Sequence, residues 1–375
     1  MREAASRTAA AWQDDAMGDE QITGQIWRHG EKVDGFSLAS ISDRIGESDT
    51  LVWADLQCPS HETLGSLATE LGLNSFAIED TISAAERVKT VSYSDHTFIM
   101  VYAIEMKARA LQAKRQPDDD SDDAPPPTSG TIEGRKQDRR ANSFTLHRIS
   151  IFIKDNALIT VRMHPDDGIK TVVERCDDTH AASFGVSGLL YVLLDVVVDG
   201  HFNAVQVLDD QIEELEDFLF DDSVPNVQLQ RRTYDLRKDL VVLRRVVLPM
   251  RDVVGTIQRH RYQDRDEHAK ELDPNYSDLY DHVLRAAEWT ESLRDMLSSA
   301  FETNLSLMDA RLNTVMKKLT AWAAIIAVPT LITGYYGQNV LFPGYNSSWG
   351  VAVSAILIVG SVIVLYINFR KRDWL

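Results

Sequence analysis

The fold of this chain is decided by residues 319–369, which read LTAWAAIIAVPTLITGYYGQNVLFPGYNSSWGVAVSAILIVGSVIVLYINF and contain no Asp, Glu, Lys, Arg or His. One membrane helix needs about 20 apolar residues, so a stretch of this length suits two helices and a turn. Residues 337–348 supply the turn, because they are rich in Gly, Pro, Asn and Ser, which break helices. The sequence therefore predicts a C-terminal hairpin of two transmembrane helices, 319–336 and 349–369.

Basic residues flank this hairpin at its two ends. Lys317 and Lys318 precede the first span and residues 370–372 are Arg-Lys-Arg, whereas the connecting loop has no basic residue. Segments on the cytoplasmic side of a membrane carry the excess of Lys and Arg. We therefore expect a multi-pass protein of the cell (inner) membrane with both termini in the cytoplasm, residues 370–375 forming a basic cytosolic tail and the 337–348 loop outside.

The chain before the hairpin is predicted to have three parts. Residues 1–22 read as a flexible acidic leader, residues 23–185 as an α/β domain and residues 186–318 as a stalk of long helices with apolar positions every three or four residues. Within the α/β domain, residues 108–142 are rich in charge and Pro and are predicted to be a disordered insert. Strands are predicted at 50–56, 97–104, 148–153 and 157–162, and a helix at 61–71. The last stalk helix, if continuous with the first span, would run through about 61 residues, or roughly 90 Å.

Composition excludes several classes of function. The formal net charge of −18 argues against binding to nucleic acid or to an anionic lipid surface. The two cysteines cannot form a disulfide framework and fit a reducing compartment. The chain has no phosphate-binding glycine loop, no nucleophile elbow and no His-Glu-x-x-His, and its ten histidines lack metal-ligand spacing. We therefore expect neither an enzyme nor a cofactor.

The first span has one face of small and polar residues. At 100° per residue this face carries Met316, Thr320, Ala323, Ala324, Ala327, Leu331, Gly334 and Gln338, with Thr330 at its edge. Such a face either packs closely against another helix or lines a water-filled path. Asn313, Thr320, Thr330 and Asn339 place amide and hydroxyl groups at intervals, which a pore for a hydrated ion could use. Two spans cannot enclose a pore, so a pore would require a homo-oligomer.

These residues resemble the CorA-type divalent-cation transporters. The resemblance rests on Asn313 to Thr320, Pro329-Thr330, Gly334 to Asn339 and the closing Asp373-Trp374-Leu375, and it extends upstream to Ala77-Ile78-Glu79-Asp80, Tyr191 to Asp210, Leu248 to Arg251 and Asp278 to His282. It implies a homopentamer with a cytosolic αβα domain, a funnel of long helices and two spans per chain. Divalent cations, Mg²⁺ first, would be both substrate and regulatory ligand.

The resemblance also assigns roles to residues. Gly337, Gln338 and Asn339 would form the selectivity filter, with Asn339 in an external ring that holds the hydrated ion. The pore-lining residues would be Asn313, Met316, Thr320, Ala327, Thr330 and Gly334, with Met316 as a hydrophobic constriction. Asp80 and Asp278 would be paired carboxylates of a regulatory cation sensor at a subunit interface.

Some features depart from the family pattern and leave alternatives open. The family signature is Gly-Met-Asn, whereas this chain has Gly337-Gln338-Asn339; Ala327 replaces a bulky gate residue, and Pro329 comes one residue late. Variant signatures occur in the zinc-transporting ZntB branch, for which proton-coupled transport of Zn²⁺, Co²⁺ or Ni²⁺ is implied. A third alternative is a membrane-anchored oligomeric sensor or interaction protein, which would not need the polar groups of the first span.

Overall fold

A computed structural model of the chain describes residues 20–38, 41–47, 49–83, 86–107, 143–164, 168–221, 225–263, 270–338, 344 and 347–375, and it describes 262 and 263 by their backbone alone. Most of the predicted leader and the whole predicted insert, residues 108–142, lie outside these residues. Two compact units are present, Met1–Leu297 and Ser298–Leu375.

The first unit contains a seven-stranded sheet. Its strands are β1 (Gln21–Arg28), β2 (Glu31–Val33), β3 (Thr50–Gln57), β4 (Lys89–Ser92), β5 (Thr97–Met106), β6 (Phe144–Lys154) and β7 (Ala157–Arg162). The order across the sheet is β2-β1-β3-β7-β6-β5-β4. All neighbouring strands are antiparallel except β3 and β7, which are parallel. Strand β1 therefore begins two residues inside the predicted leader.

The composition of the central strands explains their position. In β7 all six residues are buried, and β3 is buried from Thr50 to Leu56. A strand covered on both faces reads as a continuous apolar run rather than an alternating one. Strands β3 and β7 are therefore the centre of the sheet.

Helices cover both faces of the sheet. On one side lie α1 (Ile41–Arg44), α2 (His61–Leu71) and α3 (Ser75–Ile82), which bury Ile41, Leu64, Leu67, Leu71 and Ala77 in a common core with β1, β3 and β7. Helix α2 begins at an N-cap, Ser60, whose hydroxyl accepts a hydrogen bond from the Thr63 N–H, and ends at Gly72 with φ 64°. A left-handed residue at that position favours glycine.

The other side of the sheet is covered by longer helices. Helix α4 (Gly168–Asp178) is followed by a 3₁₀ turn (Ala181–Phe184) and by α5 (Gly185–Leu219), which packs on β5 and β7. Helix α6 (Asn226–Gln263) packs against α5. The predicted α/β domain with long helices is confirmed.

Two further helices complete the described chain. Helix α7 (Asp273–Tyr336) starts in the first unit, and its continuation belongs to the second unit together with α8 (Ser348–Lys371). In the first unit Tyr276 of α7 packs against Tyr191 of α5 and donates its hydroxyl to the Ser187 carbonyl at 2.9 Å.

Three helical stretches of the described residues are long and apolar enough to cross a membrane. They are Ala181–Leu219, which includes α5, and the helices α7 and α8. Half of the most apolar window of Ala181–Leu219 is buried inside the structure, whereas the corresponding shares are 11% in α7 and 6% in α8. The apolar residues of α5 are accounted for by packing on the sheet, and those of α7 and α8 are left for lipid or for other copies of the chain.

Candidate functional site

The face of α7 with small and polar residues is exposed in the single chain. Asn313, Met316, Thr320, Ala327, Thr330 and Gly334 all lie on the surface. A methyl group added at Gly334 would contact no atom within 4 Å. The face is therefore open along most of its described length, with Ala324 partly covered.

A different face of the same span is covered. Ala321 is 0% exposed and Ile325 is 7% exposed. In α8 partial burial recurs at three- and four-residue spacing, at Ser354, Ile358, Ser361, Leu365 and Phe369, and Gly360 and Val362 beside Ser361 are also partly covered. This spacing is typical of one helix seam. Packing within the chain thus does not account for the small residues at Ala323, Ala327 and Gly334.

The threonine hydroxyls of the span are oriented by the helix backbone. Thr320 donates to the Met316 carbonyl and Thr330 donates to the Ile326 carbonyl, both at 2.8 Å. A hydroxyl has one proton and two lone pairs, so each oxygen keeps acceptor capacity after this bond. Acceptor oxygens favour the water shell of a cation, whose hydrogens point outward.

Charge is confined to the ends of the hairpin. Residues 319–369 include no ionisable acid or base other than tyrosine, and the basic residues Lys317, Lys318, Arg370, Lys371 and Arg372 lie beyond the two limits of this stretch. The structure extends α8 through Lys371.

The predicted filter is described only in part. Helix α7 ends at Tyr336, after which the Gly337 N–H donates to the Thr333 carbonyl at 2.8 Å and the Gln338 N–H to the Tyr335 carbonyl at 3.3 Å. Gln338 is exposed. Asn339 lies outside the described residues, so its predicted place in the external ring stays a prediction.

The two predicted sensor carboxylates have different surroundings. Asp80, in the last turn of α3, has its Oδ2 atom 2.7 Å from Lys89 Nζ, and its side chain is 22% exposed. Asp278, in α7, has its Oδ2 atom 3.9 Å from His282 Nε2, and its side chain is 64% exposed. Each carboxylate thus has its own partner within the described part of one chain.

Sequence reasoning missed Lys89 as the partner of Asp80 and Arg148 as the cation at the end of the same helix. Lys89 is separated from Asp80 by the end of α3 and a connecting segment, and Arg148 comes from the distant strand β6. No periodic pattern links these positions. A weak signal was available in the spacing of opposite charges at Asp80, Glu86 and Lys89.

Comparison with known proteins agrees with this arrangement. Residues 107–371 match the model of the CorA-like Mg2+ transporter protein family. The chain belongs to this family.

Named relatives fall into two groups within this comparison. A cobalt/magnesium transport protein CorA of Thermotoga maritima is 33% identical over 188 residues, 50% of this chain and 52% of that protein. The CorA of Methanocaldococcus jannaschii is 26% identical over 351 residues, 91% of this chain and 97% of that protein. A zinc transport protein ZntB of Yersinia enterocolitica is 24% identical over 258 residues, 65% of this chain and 73% of that protein.

The fold is shared over nearly the full length. The solved complete structure of the Methanocaldococcus jannaschii CorA magnesium transporter superposes with a TM-score of 0.66 at 23% identity, covering 95% of this chain and 99% of that one. The sheet, the long helices and the C-terminal apolar helices therefore form a CorA fold.

Proposed function

We propose that this protein transports divalent metal cations across the cell membrane, with Mg²⁺ as the main substrate, by channel-like flow. The observation that carries the proposal is the open face of α7 from Asn313 to Gly334. It has small side chains and hydroxyl oxygens and no charge, and packing within the chain leaves it exposed. Mg²⁺ loses its water reluctantly, so a path of neutral oxygen acceptors suits passage of the hydrated ion.

The proposed path requires several copies of the chain. Two spans cannot surround a channel, so we place the α7 faces of a homo-oligomer, a pentamer in keeping with the family, around the pore, with α8 outside. Gly337, Gln338 and Asn339 form the outer mouth in this arrangement. Both termini are cytoplasmic because the basic residues lie at the two ends of the hairpin.

The driving force comes from the membrane. Moving one charge through 100 mV is worth about 2.3 kcal/mol, so an inside-negative potential of that size favours entry of a divalent cation by about 4.6 kcal/mol. Asp80 and Asp278 serve as the cytosolic carboxylates through which bound cation reduces further uptake. Transport needs no catalytic residue, and the family is one of transporters.

Zinc is the second candidate substrate. The likeness to a zinc transport protein and Gln338 in the filter signature favour it. In this alternative, Zn²⁺ or a neighbouring transition metal moves together with protons.

Uptake into proteoliposomes distinguishes these substrates. Purified protein is reconstituted with an ion-sensitive dye inside, and Mg²⁺, Zn²⁺, Co²⁺ and Ni²⁺ are added with and without an imposed pH gradient. Mg²⁺ entry that follows the membrane potential alone, and that Asn339→Leu reduces, is the expected result. Zn²⁺ entry that requires the pH gradient would replace the magnesium proposal, and no entry of any ion would leave the membrane-anchored sensor as the remaining interpretation.

A further inference from the structure

Asp80 is already paired with a cation of its own chain. Lys89 Nζ lies 2.7 Å from Asp80 Oδ2 and 3.0 Å from Glu86 Oε2. The three side chains are between 21% and 25% exposed. At this partial burial the ion pair is screened less by water than a fully exposed pair, and any other cation that binds the Asp80 carboxylate must compete with the lysine.

A second cation lies at the end of the helix that carries Asp80. Arg148, from β6, donates through Nη2 to the Thr81 carbonyl at 2.6 Å and through Nη1 to the Ser83 carbonyl. These carbonyls lie at the C-terminal end of α3, where the helix dipole attracts positive charge. The carbonyl groups at the end of the helix that carries Asp80 therefore already accept hydrogen bonds from a guanidinium group.

Lys89 holds its positive charge at neutral pH. Burial alone lowers the pKa of its ammonium group, but the hydrogen bonds and charges of Asp80 and Glu86 outweigh burial and leave the pKa raised. The ammonium group is thus a permanent counter-charge for the two carboxylates.

Carboxylate oxygens are ligands that Mg²⁺ accepts, so Asp80 is of the right type for a regulatory cation. However, the described residues contain no group of three or more His, Cys, Asp or Glu able to hold a metal ion. With one oxygen of Asp80 on Lys89, a cation can use this carboxylate fully only after the lysine has left it.

We infer that Lys89 is a built-in competitor for the divalent cation at Asp80 and sets the concentration at which the protein responds to cytosolic Mg²⁺. This inference rests on the proposed sensor role of Asp80. The lysine occupies the carboxylate when Mg²⁺ is scarce and yields to the divalent ion only when Mg²⁺ is abundant. The sensor threshold is therefore a property of the chain and not only of the ion.

The test uses the thermal unfolding midpoint of the detergent-solubilised full-length protein across a Mg²⁺ titration. Lys89→Met keeps a long side chain and removes the charge. Removal of one positive charge this close to a divalent-cation ligand lowers the half-maximal Mg²⁺ concentration by about tenfold or more. Lys89→Gln supplies a second uncharged variant if Lys89→Met does not fold.

Four control variants assign the effect. Lys89→Arg keeps the competitor and leaves the half-maximal concentration near that of the unaltered protein. Lys32→Met removes another ion pair, in which Lys32 Nζ lies 2.6 Å from Asp177 Oδ2. We expect this variant to leave the half-maximal Mg²⁺ concentration unchanged. Adding Asp80→Asn to Lys89→Met abolishes the decrease in the half-maximal Mg²⁺ concentration, whereas adding Glu86→Gln to Lys89→Met preserves that decrease.

Equal Mg²⁺ responses of the unaltered protein and Lys89→Met would overturn the inference, as would the same tenfold change in Lys89→Arg. Ion flux is measured on the same preparations. Absence of flux with the Lys89 effect intact would count against the transport proposal alone, and normal flux with no Lys89 effect would count against the competitor alone.

Discussion

At the scale of single residues, the hydroxyls of Thr320 and Thr330 illustrate how a helix can present acceptors without charge. Each hydroxyl donates its proton to the carbonyl four residues earlier, so its oxygen keeps lone pairs that can accept further hydrogen bonds. A ring of such oxygens, one from each copy, would favour the water of a cation over that of an anion. Asp80 is the opposite case, because its negative charge is already paired with the ammonium group of Lys89 in the absence of a metal ion.

His201 gives the cytosolic unit a dependence on pH. It is fully buried in α5, and its Nε2 atom lies 2.7 Å from the Tyr102 carbonyl oxygen, to which it can donate as a neutral ring. Burial lowers the pKa of His201 to about 4. The unfolded chain, with a histidine pKa near 6.5, then binds the proton more readily than the folded one.

The direction of the pH dependence of the folding stability follows from this difference in pKa. The stabilisation from His201 is complete above about pH 6.5 and is lost as the pH falls from about 6.5 to 4, at a total of about 3 kcal/mol. We expect His201→Gln, which keeps an N–H donor, to flatten the fall in thermal midpoint over that pH range. The exposed His61 supplies the control, and His61→Gln leaves the fall in place. An identical fall in His201→Gln would contradict the assignment.

At the scale of elements, two faces of the predicted first span of α7 differ in burial. Substitutions on the two faces therefore distinguish a role in packing from a role in the proposed ion path. Ala321 is completely buried, whereas Ala323, two residues later, is exposed on the small face. Extra methylene groups in a packed site typically cost about 1–3 kcal/mol.

We therefore expect Ala321→Leu to lower the thermal midpoint of the hairpin and Ala323→Leu to leave it nearly unchanged. Ala323→Leu instead narrows the proposed path and reduces ion flux. Thermal unfolding in detergent and flux in proteoliposomes measure the two effects on the same samples. If Ala323→Leu destabilised the protein as much as Ala321→Leu, the small face would be a packing face.

The elements with strong apolar patterns could be predicted from the sequence. The helix at 61–71 and the strand at 157–162 have the predicted bounds, and the other three predicted strands extend further in the structure. Weakly patterned elements escaped prediction. Strand β2 has only three residues, all exposed, and strand β4 has no buried residue. Such edge strands depend on their neighbours for stability and leave little periodicity in the sequence.

The candidate site likewise has one part that a local sequence pattern predicted and another part that no local pattern indicated. The small and polar face of α7 belongs to one helix, so a projection of the sequence at 100° per residue located it, and the structure leaves that face largely exposed. The pairing of Asp80 with Lys89, and the approach of Arg148 to the same helix end, depend on contacts between α3, β4 and β6. Long-range contacts of this kind are set by the tertiary fold, which no local pattern reveals.

At the scale of the whole molecule, the proposed orientation of the hairpin, with both termini in the cytoplasm, can be tested by labelling of introduced cysteines. The chain has two native cysteines, Cys58 and Cys176, and both are buried. Burial raises the pKa of the Cys176 thiol to about 12, so it reacts poorly with maleimides at neutral pH. Labelling of an introduced cysteine therefore has a low background.

We expect a membrane-impermeant maleimide to modify Ser347→Cys in intact cells, because Ser347 lies in the predicted external loop. Asp373→Cys, in the basic tail, reacts only after the cells are opened. Immunoblotting with a mass-adding maleimide records both results. Labelling of Asp373→Cys in intact cells would reverse the proposed orientation or place the two termini on different sides.

The most direct measurement is voltage-driven Mg²⁺ uptake by proteoliposomes containing Thr330→Val or Thr333→Val. Both threonines donate hydrogen bonds within α7, to the Ile326 and Thr330 carbonyls, and both are exposed. Thr330 lies at the edge of the small face, whereas Thr333, about 60° further round the helix, lies outside that face. Valine removes the hydroxyl at each position and keeps the shape of the side chain. We predict that Thr330→Val reduces uptake severalfold, whereas Thr333→Val matches the unaltered protein. Equal uptake by both variants, or loss in Thr333→Val alone, would contradict the placement of this face of α7 along the ion path.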